Sequence, residues 1–346
     1  MYNPCFEHIN LYVVNMGSGA SSTKPPSTTP SRPRGRTEAL FNQEGRRPQT
    51  LLILEPPQPP SSDGQLKVKS VDLKIYSNSV EHNTNDYDVP YLIVRRGQSF
   101  DIDVTFEREF NPESDKLGVV LRVGEPPHRV SKGTLLMLPF MDGELSDSNS
   151  GVKILSTHGD KVSLSVYLLS KAHIGKYTLA IETISTSNSE EFFDRFTVSQ
   201  PMYVLFNPWC KDDDVYMEGV MEREEYVLND FGFIWYGTYR QLGKRRWNFG
   251  QFESEVFEAV MYLLELGVVP WARNNAVLVA RVLSSLGNSQ DDDGVLVGNW
   301  SGDYAGGTKP TSWTGSVAIF EEYNRTKKPV SFGQCWVFSG ILTTSM

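Results

Sequence analysis

Hydrophobic and polar positions alternate along much of the chain between residues 65 and 200. From Phe100 to Phe106 an apolar side chain occupies every second position, and the same period returns from Val162 to Leu168. This period predicts strands with one face on a hydrophobic core and the other in water. Further strand candidates are YLIVRRG (91–97), LGVVLRVG (117–124) and KYTLAIET (176–183). Many short strands with little helical periodicity predict a β-sandwich over residues 65–200.

The periodicity becomes helical after residue 201. Apolar residues recur three or four positions apart between Phe252 and Leu264, and Gly267 is placed to end that helix. Shorter helix candidates cover residues 277–286 and 317–323. All seven tryptophans follow residue 201, where we expect most of them to anchor the core or its loops. Residues 201–346 are therefore predicted to form a second, helix-rich domain.

The first 64 residues have the composition of a basic, low-complexity tail. Ten of the 20 prolines lie in the first 60 residues, together with Ser, Thr, Gly and arginines between Arg32 and Arg47. Such a segment buries too little apolar surface to offset the entropy lost on ordering, so residues 1–64 are predicted to be disordered. Contact with an anionic surface and proteolysis at SRPRGR are alternatives to a solvated tail. MGSGAS would direct myristoylation, and hence membrane association, only in a product starting at Met16–Gly17.

Composition and charge narrow the classes of function. The chain of 346 residues is 39% hydrophobic and carries a net charge of -9, which argues against nucleic-acid binding. Without a run of 18 apolar residues or a basic secretory leader, we expect a cytoplasmic protein with no transmembrane segment. Non-classical release to the extracellular space is the alternative. Three scattered cysteines predict neither a disulfide framework nor a cysteine zinc site, and the histidines between residues 65 and 200 are expected on the surface or in turns.

The candidate for chemistry is Cys335, which lies between Gly333 and Trp336 at the start of an apolar, helix-like run. In the first turn of a helix, a thiolate is stabilised by backbone N–H groups and by the helix dipole. That position suits a nucleophile. A buried structural cysteine is the alternative that these residues alone leave open.

The surrounding motif, SFGQCWVFSG (331–340), resembles the catalytic signature of the transglutaminase family. Other blocks that resemble the family's core, in the same order, are VLFNPWCKDDDVYM (204–217), EEYVLNDFGFIWYG (224–237), WNFGQFE (247–253), DDDGVLVGNW (291–300) and TSWTGSV (311–317). Two blocks resemble its N-terminal sandwich, YLIVRRGQSFDIDVTF (91–106) and GKYTLAIET (175–183). The resemblance covers residues 65 to 342, and the animal coagulation and arthropod-type enzymes are the most similar members.

This resemblance implies a multidomain α+β fold. An immunoglobulin-like β-sandwich (65–200) would be followed by the N-terminal part of a papain-like, cysteine-proteinase-like core (201–346). The implied activity is that of a protein-glutamine γ-glutamyltransferase, which crosslinks proteins by moving an acyl group from a glutamine to a lysine or a polyamine through a cysteine thioester. Cys335 matches the family's nucleophile, and Trp300 matches the tryptophan whose indole N–H stabilises the oxyanion.

An acidic loop, NSQDDDG (288–294), suggests a cation site close to Trp300. Taken alone, this loop could equally be a solvated turn, because its spacing is not that of an EF-hand. The resemblance implies Ca²⁺ there, held by the side chains of Asn288 and Asp292 and by carbonyl oxygens of Leu286, Asn288 and Gln290.

The family's catalytic histidine and aspartate follow the cysteine, and no residue of this sequence matches them. We therefore expect a chain truncated just after its nucleophile and inactive alone, with the cysteine helix deprived of facing partners. Exposed apolar residues would then be Trp336, Phe338, Ile341 and Leu342. The alternatives are a non-catalytic, regulatory isoform that acts through the sandwich or associates with the full-length enzyme, a residual cysteine hydrolase, and a fragment of a longer enzyme.

Overall fold

The structure, a computed structural model, describes residues 64–346 except residues 188 and 293 and the side chains of residues 236, 237, 291 and 292. The predicted tail lies outside the described residues, apart from Gly64, and so does the Met16–Gly17 motif. In the part of the chain that is described, no helix has the length and apolar character needed to cross a membrane.

Two sheets form the first half of the described chain. The four-stranded sheet has the order β1-β3-β7-β6, with bounds Val68–Asp72, Ser99–Phe106, Lys161–Tyr167 and Val152–His158. The six-stranded sheet has the order β2-β10-β8-β4-β5, with bounds Leu92–Arg95, Met202–Leu205, Gly175–Ser187, Asp115–Val123 and Leu135–Leu138. Strand β9 (Glu190–Thr197) also pairs with β8. The strands predicted from the period-two pattern are confirmed.

One hydrophobic core lies between these two sheets. Phe100 and Ile102 of β3 pack there with Leu121 of β4 and Tyr177 of β8, and all four are fully buried. Helix α1 (Ile75–Glu81), which the periodicity did not predict, covers one end of this region. Strand β10 runs parallel to β2, so the six-stranded sheet continues past residue 200.

Two histidines of this region are buried. His82 lies in a turn, as expected, whereas His173 lies neither in a turn nor on the surface, which corrects the expectation for that residue. His82 has no exposed surface. Both ring nitrogens are hydrogen-bonded, since Nδ1 accepts from the Arg95 backbone N–H (2.9 Å) and Nε2 donates to Ser99 O (3.0 Å). His173 is buried beside Lys132, whose carbonyl oxygen lies 2.9 Å from its Nε2.

Helices and two short sheets form the second half. The helices are α2 (Val220–Arg223), α3 (Ser254–Gly267), α4 (Ala276–Leu286), α5 (Ser289–Asp292), α6 (Val317–Thr326) and α7 (Cys335–Ser345). The strands are β11 (Phe231–Thr238) and β12 (Gln241–Asn248), an antiparallel hairpin, and β13 (Leu296–Gly298) and β14 (Val330–Gly333), a parallel pair. The three predicted helices are confirmed, and α3 ends at Gly267 as expected.

A second hydrophobic core joins helices α3, α4, α6 and α7 to the hairpin. At its centre is the fully buried Trp247 of β12, whose indole Nε1 donates to Ser316 Oγ (2.9 Å). Thr344 of α7 donates to the same oxygen (2.8 Å). The expectation that α7 lacks facing partners is therefore wrong at Ile341, which is 1% exposed, while Phe338 and Leu342 remain partly exposed.

A buried ion pair joins the end of β2 to the segment after β10. Arg96 Nε and Nη2 donate to the two carboxylate oxygens of Asp213 at 2.7 and 2.8 Å, and neither side chain has exposed surface. The backbone N–H of Asn207 donates to the same carboxylate (2.9 Å). Since a buried charge is stable only when it is paired and hydrogen-bonded, this contact ties the two halves together.

Candidate active site around Cys335

Cys335 is the first residue of helix α7 and is partly exposed. The residue before it, Gln334, has extended backbone (φ -133°, ψ 176°), and its carbonyl accepts the first helical hydrogen bond from Val337 N (2.8 Å). A thiolate at this position lies close to the positive end of the helix dipole, which favours the charged form. The helix start predicted for Cys335 is confirmed.

The short parallel sheet of β13 and β14 leads into helix α7 and sets its position. Strand β14 leads directly into Gln334, and its Gly333 pairs with Gly298 of β13. A Cβ atom on Gly333 would lie 2.2 Å from Leu296 Cδ2, so only glycine allows the two strands to approach this closely. The indole Nε1 of Trp313 donates to Phe332 O (2.8 Å) and holds β14 from the other side.

Trp300 lies at the same end of helix α7 as Cys335. The backbone N–H of Asn299 donates to Gly333 O (3.0 Å), which places the next residue beside the helix start. The Trp300 ring stacks on that of Phe338, with ring centroids 6.5 Å apart and an interplanar angle of 9°. Phe338 is three residues after Cys335 and therefore on the same helix face. Trp300 remains 44% exposed, so its indole is open to a ligand.

Sequence reasoning missed the side chain of Gln334. Its Nε2 donates to Asn299 O and to the hydroxyl of Tyr304, both at 3.0 Å. These two acceptors lie on either side of Trp300 along the chain. The signal that could have found this residue is its place directly before the candidate nucleophile.

The loop that carries Trp300 is also bonded internally. Asn299 Oδ1 accepts from the N–H and the hydroxyl of Ser301, at 2.9 and 2.8 Å. Asn299 Nδ2 donates to Asp303 O (2.8 Å). We call residues 299–304 the tryptophan loop. It has no regular secondary structure, so these side-chain bonds determine its shape.

The predicted calcium loop precedes β13. Leu286 O accepts from Val295 N (2.8 Å), and Asn288 O accepts from Gly294 N (3.0 Å). A Cβ atom on Gly294 would lie 2.0 Å from Leu286 O and 2.7 Å from Asn288 O, so both carbonyl oxygens pack against Gly294 and leave room for no side chain there. Because a carbonyl oxygen has two lone pairs, each can still bind a cation. Carbonyl oxygens are a donor type that fits Ca²⁺.

Gln290 connects the predicted calcium loop to the end of β13. Gln290 N donates to Asn288 Oδ1 (3.1 Å), and the Gln290 side chain donates to Gly298 O (3.3 Å) at the end of β13. The side chain of Asp292 lies outside the described residues, so its predicted role stays a prediction. Among the described residues, no three His, Cys, Asp or Glu side chains come together as a metal-binding group.

The described histidines belong to the region of the two sheets. His82 and His173 make the backbone contacts given above, and His128 Nε2 lies 2.9 Å from Gly124 O. His158 is the last residue of β6. All four described histidines therefore lie in the region of the two sheets and not on α7.

Comparisons with known proteins identify the family of this chain. Residues 69–184 match the model of the transglutaminase family. The fold resembles the crystal structure of red sea bream transglutaminase, with a TM-score of 0.69 and 30% identity over 80% of this chain and 41% of that one. The chain belongs to the transglutaminase family, and its fold is of the mixed α+β class.

Two curated relatives illustrate the similarity. Human protein-glutamine gamma-glutamyltransferase K is 41% identical over 82% of this chain. The hemocyte protein-glutamine gamma-glutamyltransferase of Tachypleus tridentatus is 40% identical over 83% of it. The chain spans 34% and 39% of the lengths of these two relatives.

Proposed function

We propose that this chain is the nucleophile-bearing part of a protein-glutamine γ-glutamyltransferase. Its architecture would be an immunoglobulin-like β-sandwich at 65–200 followed by the N-terminal part of a papain-like core at 201–346. The observation that carries the proposal is the stacking of Trp300 on Phe338, one turn along the helix that begins at Cys335. The substrates would be protein glutamine side chains, with lysine side chains or polyamines as acceptors.

The proposed reaction has two acyl transfers. The Cys335 thiolate attacks the γ-carboxamide carbon of a glutamine, the C–N bond breaks, and the nitrogen takes a proton and leaves as ammonia. An amine then attacks the thioester carbon and forms an isopeptide bond as the C–S bond breaks, and the proton lost by the amine nitrogen returns the thiol. In both steps the Trp300 indole N–H and the Cys335 backbone N–H would donate to the oxyanion.

Calcium would act next to this site. The carbonyl oxygens of Leu286, Asn288 and Gln290 and the side chains of Asn288 and Asp292 would hold it. Bound there, the ion would supply a fixed positive charge that stiffens the loop leading into β13. Residues of this chain would connect the ion to Trp300, because Gln290 of the calcium loop contacts Gly298, and Gly298 directly precedes the tryptophan loop.

We further propose that residues 1–346 alone do not turn over amide substrates. Acyl transfer from an amide needs a group that takes and returns protons, and histidine is the usual one. In support, His82, His128 and His173 each lie within hydrogen-bond distance of a backbone carbonyl in the region of the two sheets, and His158 ends strand β6 there. Removal of the histidine base from a comparable catalytic unit lowers kcat by about six orders of magnitude.

A non-catalytic role through the sandwich is the second candidate. Its support is that the two sheets enclose a hydrophobic core of their own, distinct from the core around Trp247. Such a unit could bind protein substrates, or the full-length enzyme, without using Cys335.

The test measures incorporation of a labelled primary amine into a glutamine-rich acceptor protein. Residues 1–346, with and without millimolar calcium, are compared with Cys335→Ala and with Cys210→Ala as the control for a second thiol. We expect no incorporation above the Cys335→Ala background. Incorporation that requires both calcium and Cys335 would disprove the proposed lack of turnover. Retained binding to the acceptor protein without incorporation would favour the second candidate.

A further inference from the structure

We propose that Gln334 is a positioning residue that clamps the tryptophan loop onto the start of the cysteine helix. The proposal rests on the acyl-transfer function above, since it assigns Gln334 a role through Trp300. It concerns the loop's geometry and not direct contact with substrate. Its basis is the pair of hydrogen bonds from one amide group to both ends of residues 299–304.

The chemistry of the amide matches this task. An NH₂ group carries two hydrogens, so Gln334 Nε2 can donate to Asn299 O and to the Tyr304 hydroxyl at the same time. The Gln334 backbone is the N-cap of α7. One residue therefore joins the loop to the helix at the point where Cys335 begins.

The loop needs such a clamp because burial does not hold Trp300. Its ring is 44% exposed, and one face meets Phe338, which is itself partly exposed. The internal bonds of Asn299 give the loop its shape but do not join it to α7. Besides the Gln334 amide, the loop's contacts with the strand and helix include the Asn299 N–H to Gly333 O bond, the Trp300–Phe338 ring stack and a tilted ring contact of Tyr304 with Phe332 of β14 (centroids 6.3 Å apart).

Loss of the Gln334 hydrogen bonds should lower kcat through displacement of Trp300. An oxyanion donor works only when it is held close to the developing charge, and loss of one donor lowers kcat by about 10² to 10³. Release of the loop would displace Trp300 without removing it, so we expect a fall in kcat of about tenfold or more with little change in KM. This fall in kcat with little change in KM is expected in any enzyme that contains this site.

The first test does not depend on activity. Hydrogen exchange of residues 299–304 is measured in the 346-residue chain and in Gln334→Ala, Gln334→Glu and Tyr304→Phe. Glutamate has the same shape as glutamine but cannot donate to Asn299 O. We expect exchange to accelerate about tenfold in both Gln334 variants and by less in Tyr304→Phe, since each lost bond accounts for about a fewfold change.

The control is Gln98→Ala, which removes another glutamine that donates to a backbone carbonyl, that of Glu81 (2.8 Å). It should leave residues 299–304 unchanged. In the Gln334 variants, helix α7 should keep its protection, and in the uncharged Gln334→Ala variant alkylation of Cys335 by iodoacetamide should keep its rate. Unchanged exchange of the tryptophan loop would overturn the proposal. Equal loss of protection in α7 would also overturn it, because Gln334 would then support the helix and not the loop.

A second readout separates this proposal from the proposed function. A peptide aldehyde that mimics glutamine adds to the Cys335 thiol and gives a hemithioacetal whose oxygen lies where the oxyanion would form. We expect its affinity to fall about tenfold in Gln334→Ala and Gln334→Glu, because a donor is displaced. A wild-type chain that fails to bind the aldehyde would count against the transfer function. The exchange measurement would still decide on the clamp.

Discussion

Gly340 is the residue at which helix α7 comes closest to the hairpin. A Cβ atom there would lie 2.5 Å from Trp247 Cε2 and 2.8 Å from Ile234 Cδ1. Both neighbours are buried, so neither ring nor methyl group can move away without disturbing the second core. The close approach of two elements at a glycine explains how an apolar helix of 11 residues finds facing partners here.

Substitution of this glycine gives a prediction with a definite sign. Helix propensity alone would make Gly340→Ala stabilising by about 1 kcal/mol. Overpacking against Trp247 should outweigh that gain and lower the free energy of unfolding by about 1–3 kcal/mol. Urea denaturation would measure it, with the neighbouring exposed Ser339→Ala as control. A stabilised Gly340→Ala variant would show that the helix and hairpin do not pack this closely.

A second residue-scale prediction concerns pH. Burial lowers the pKa of His82 from 6.5 to about 4, against the opposing effect of its hydrogen bond to Ser99. The folded state therefore binds fewer protons than the unfolded state between these values. The contribution of neutral His82 to the free energy of unfolding should be fully present above pH 6.5. It should fall by about 3 kcal/mol as the pH drops to about 4.

The check is the free energy of unfolding as a function of pH for the wild type and His82→Gln. His158→Gln, which replaces an exposed histidine at the end of a strand, is the control. We expect His82→Gln to be less stable near neutral pH and to lose less stability on acidification. A slope as steep as that of the wild type would assign the acid sensitivity to other groups.

At the scale of elements, the Arg96–Asp213 pair holds the end of β2 against the segment that follows β10. Asp213→Asn leaves the Arg96 guanidinium buried without its counter-charge and should cost about 3–5 kcal/mol of stability. Lys171–Asp214 is the matched exposed pair next to it, and Asp214→Asn should cost less than about 1 kcal/mol. Chemical denaturation of both variants measures the difference. Similar losses in the two variants would contradict the structural importance given to the buried pair.

Periodicity predicted most of the long elements but few of the short ones. Strand β3 and helix α3 are long enough to show a period of two or of 3.6, and both were predictable. Strands β13 and β14 have three and four residues, too few for any period to appear. Their pairing depends on close packing at Gly333, which only the folded chain shows.

The candidate site shows the same limit. Cys335 and Trp300 could be assigned from a motif, because the residue types themselves carry the chemistry. The clamp by Gln334 joins atoms 35 and 30 residues apart, and nothing in residue type alone predicts those partners. The burial of His82 likewise depends on Arg95 and Ser99, distant in sequence, so a scattered histidine could not be told from a surface one.

At the scale of the whole molecule, the described residues form two large hydrophobic cores, a small third cluster of Ile93, Tyr203 and Phe257, and a candidate site where Trp300 lies beside the start of the cysteine helix. The chain covers 34% of the length of the human relative, so amide turnover by these residues alone stays a matter for the proposal above. Formation of the nucleophile, which we expect of these residues, is therefore separate from turnover of an amide, which we propose they do not catalyse.

The most direct test of that separation is acylation by an activated ester. In a p-nitrophenyl ester of a blocked glutamate side chain, attack by sulfur breaks the C–O bond and nitrophenolate leaves without needing a proton. Because the start of α7 favours the Cys335 thiolate, we predict one acyl group per chain on Cys335 by peptide mass spectrometry. It should be absent in Cys335→Ala and retained in Cys210→Ala. No acylation of a folded sample, or labelling of Cys210 as fast as Cys335, would contradict the account.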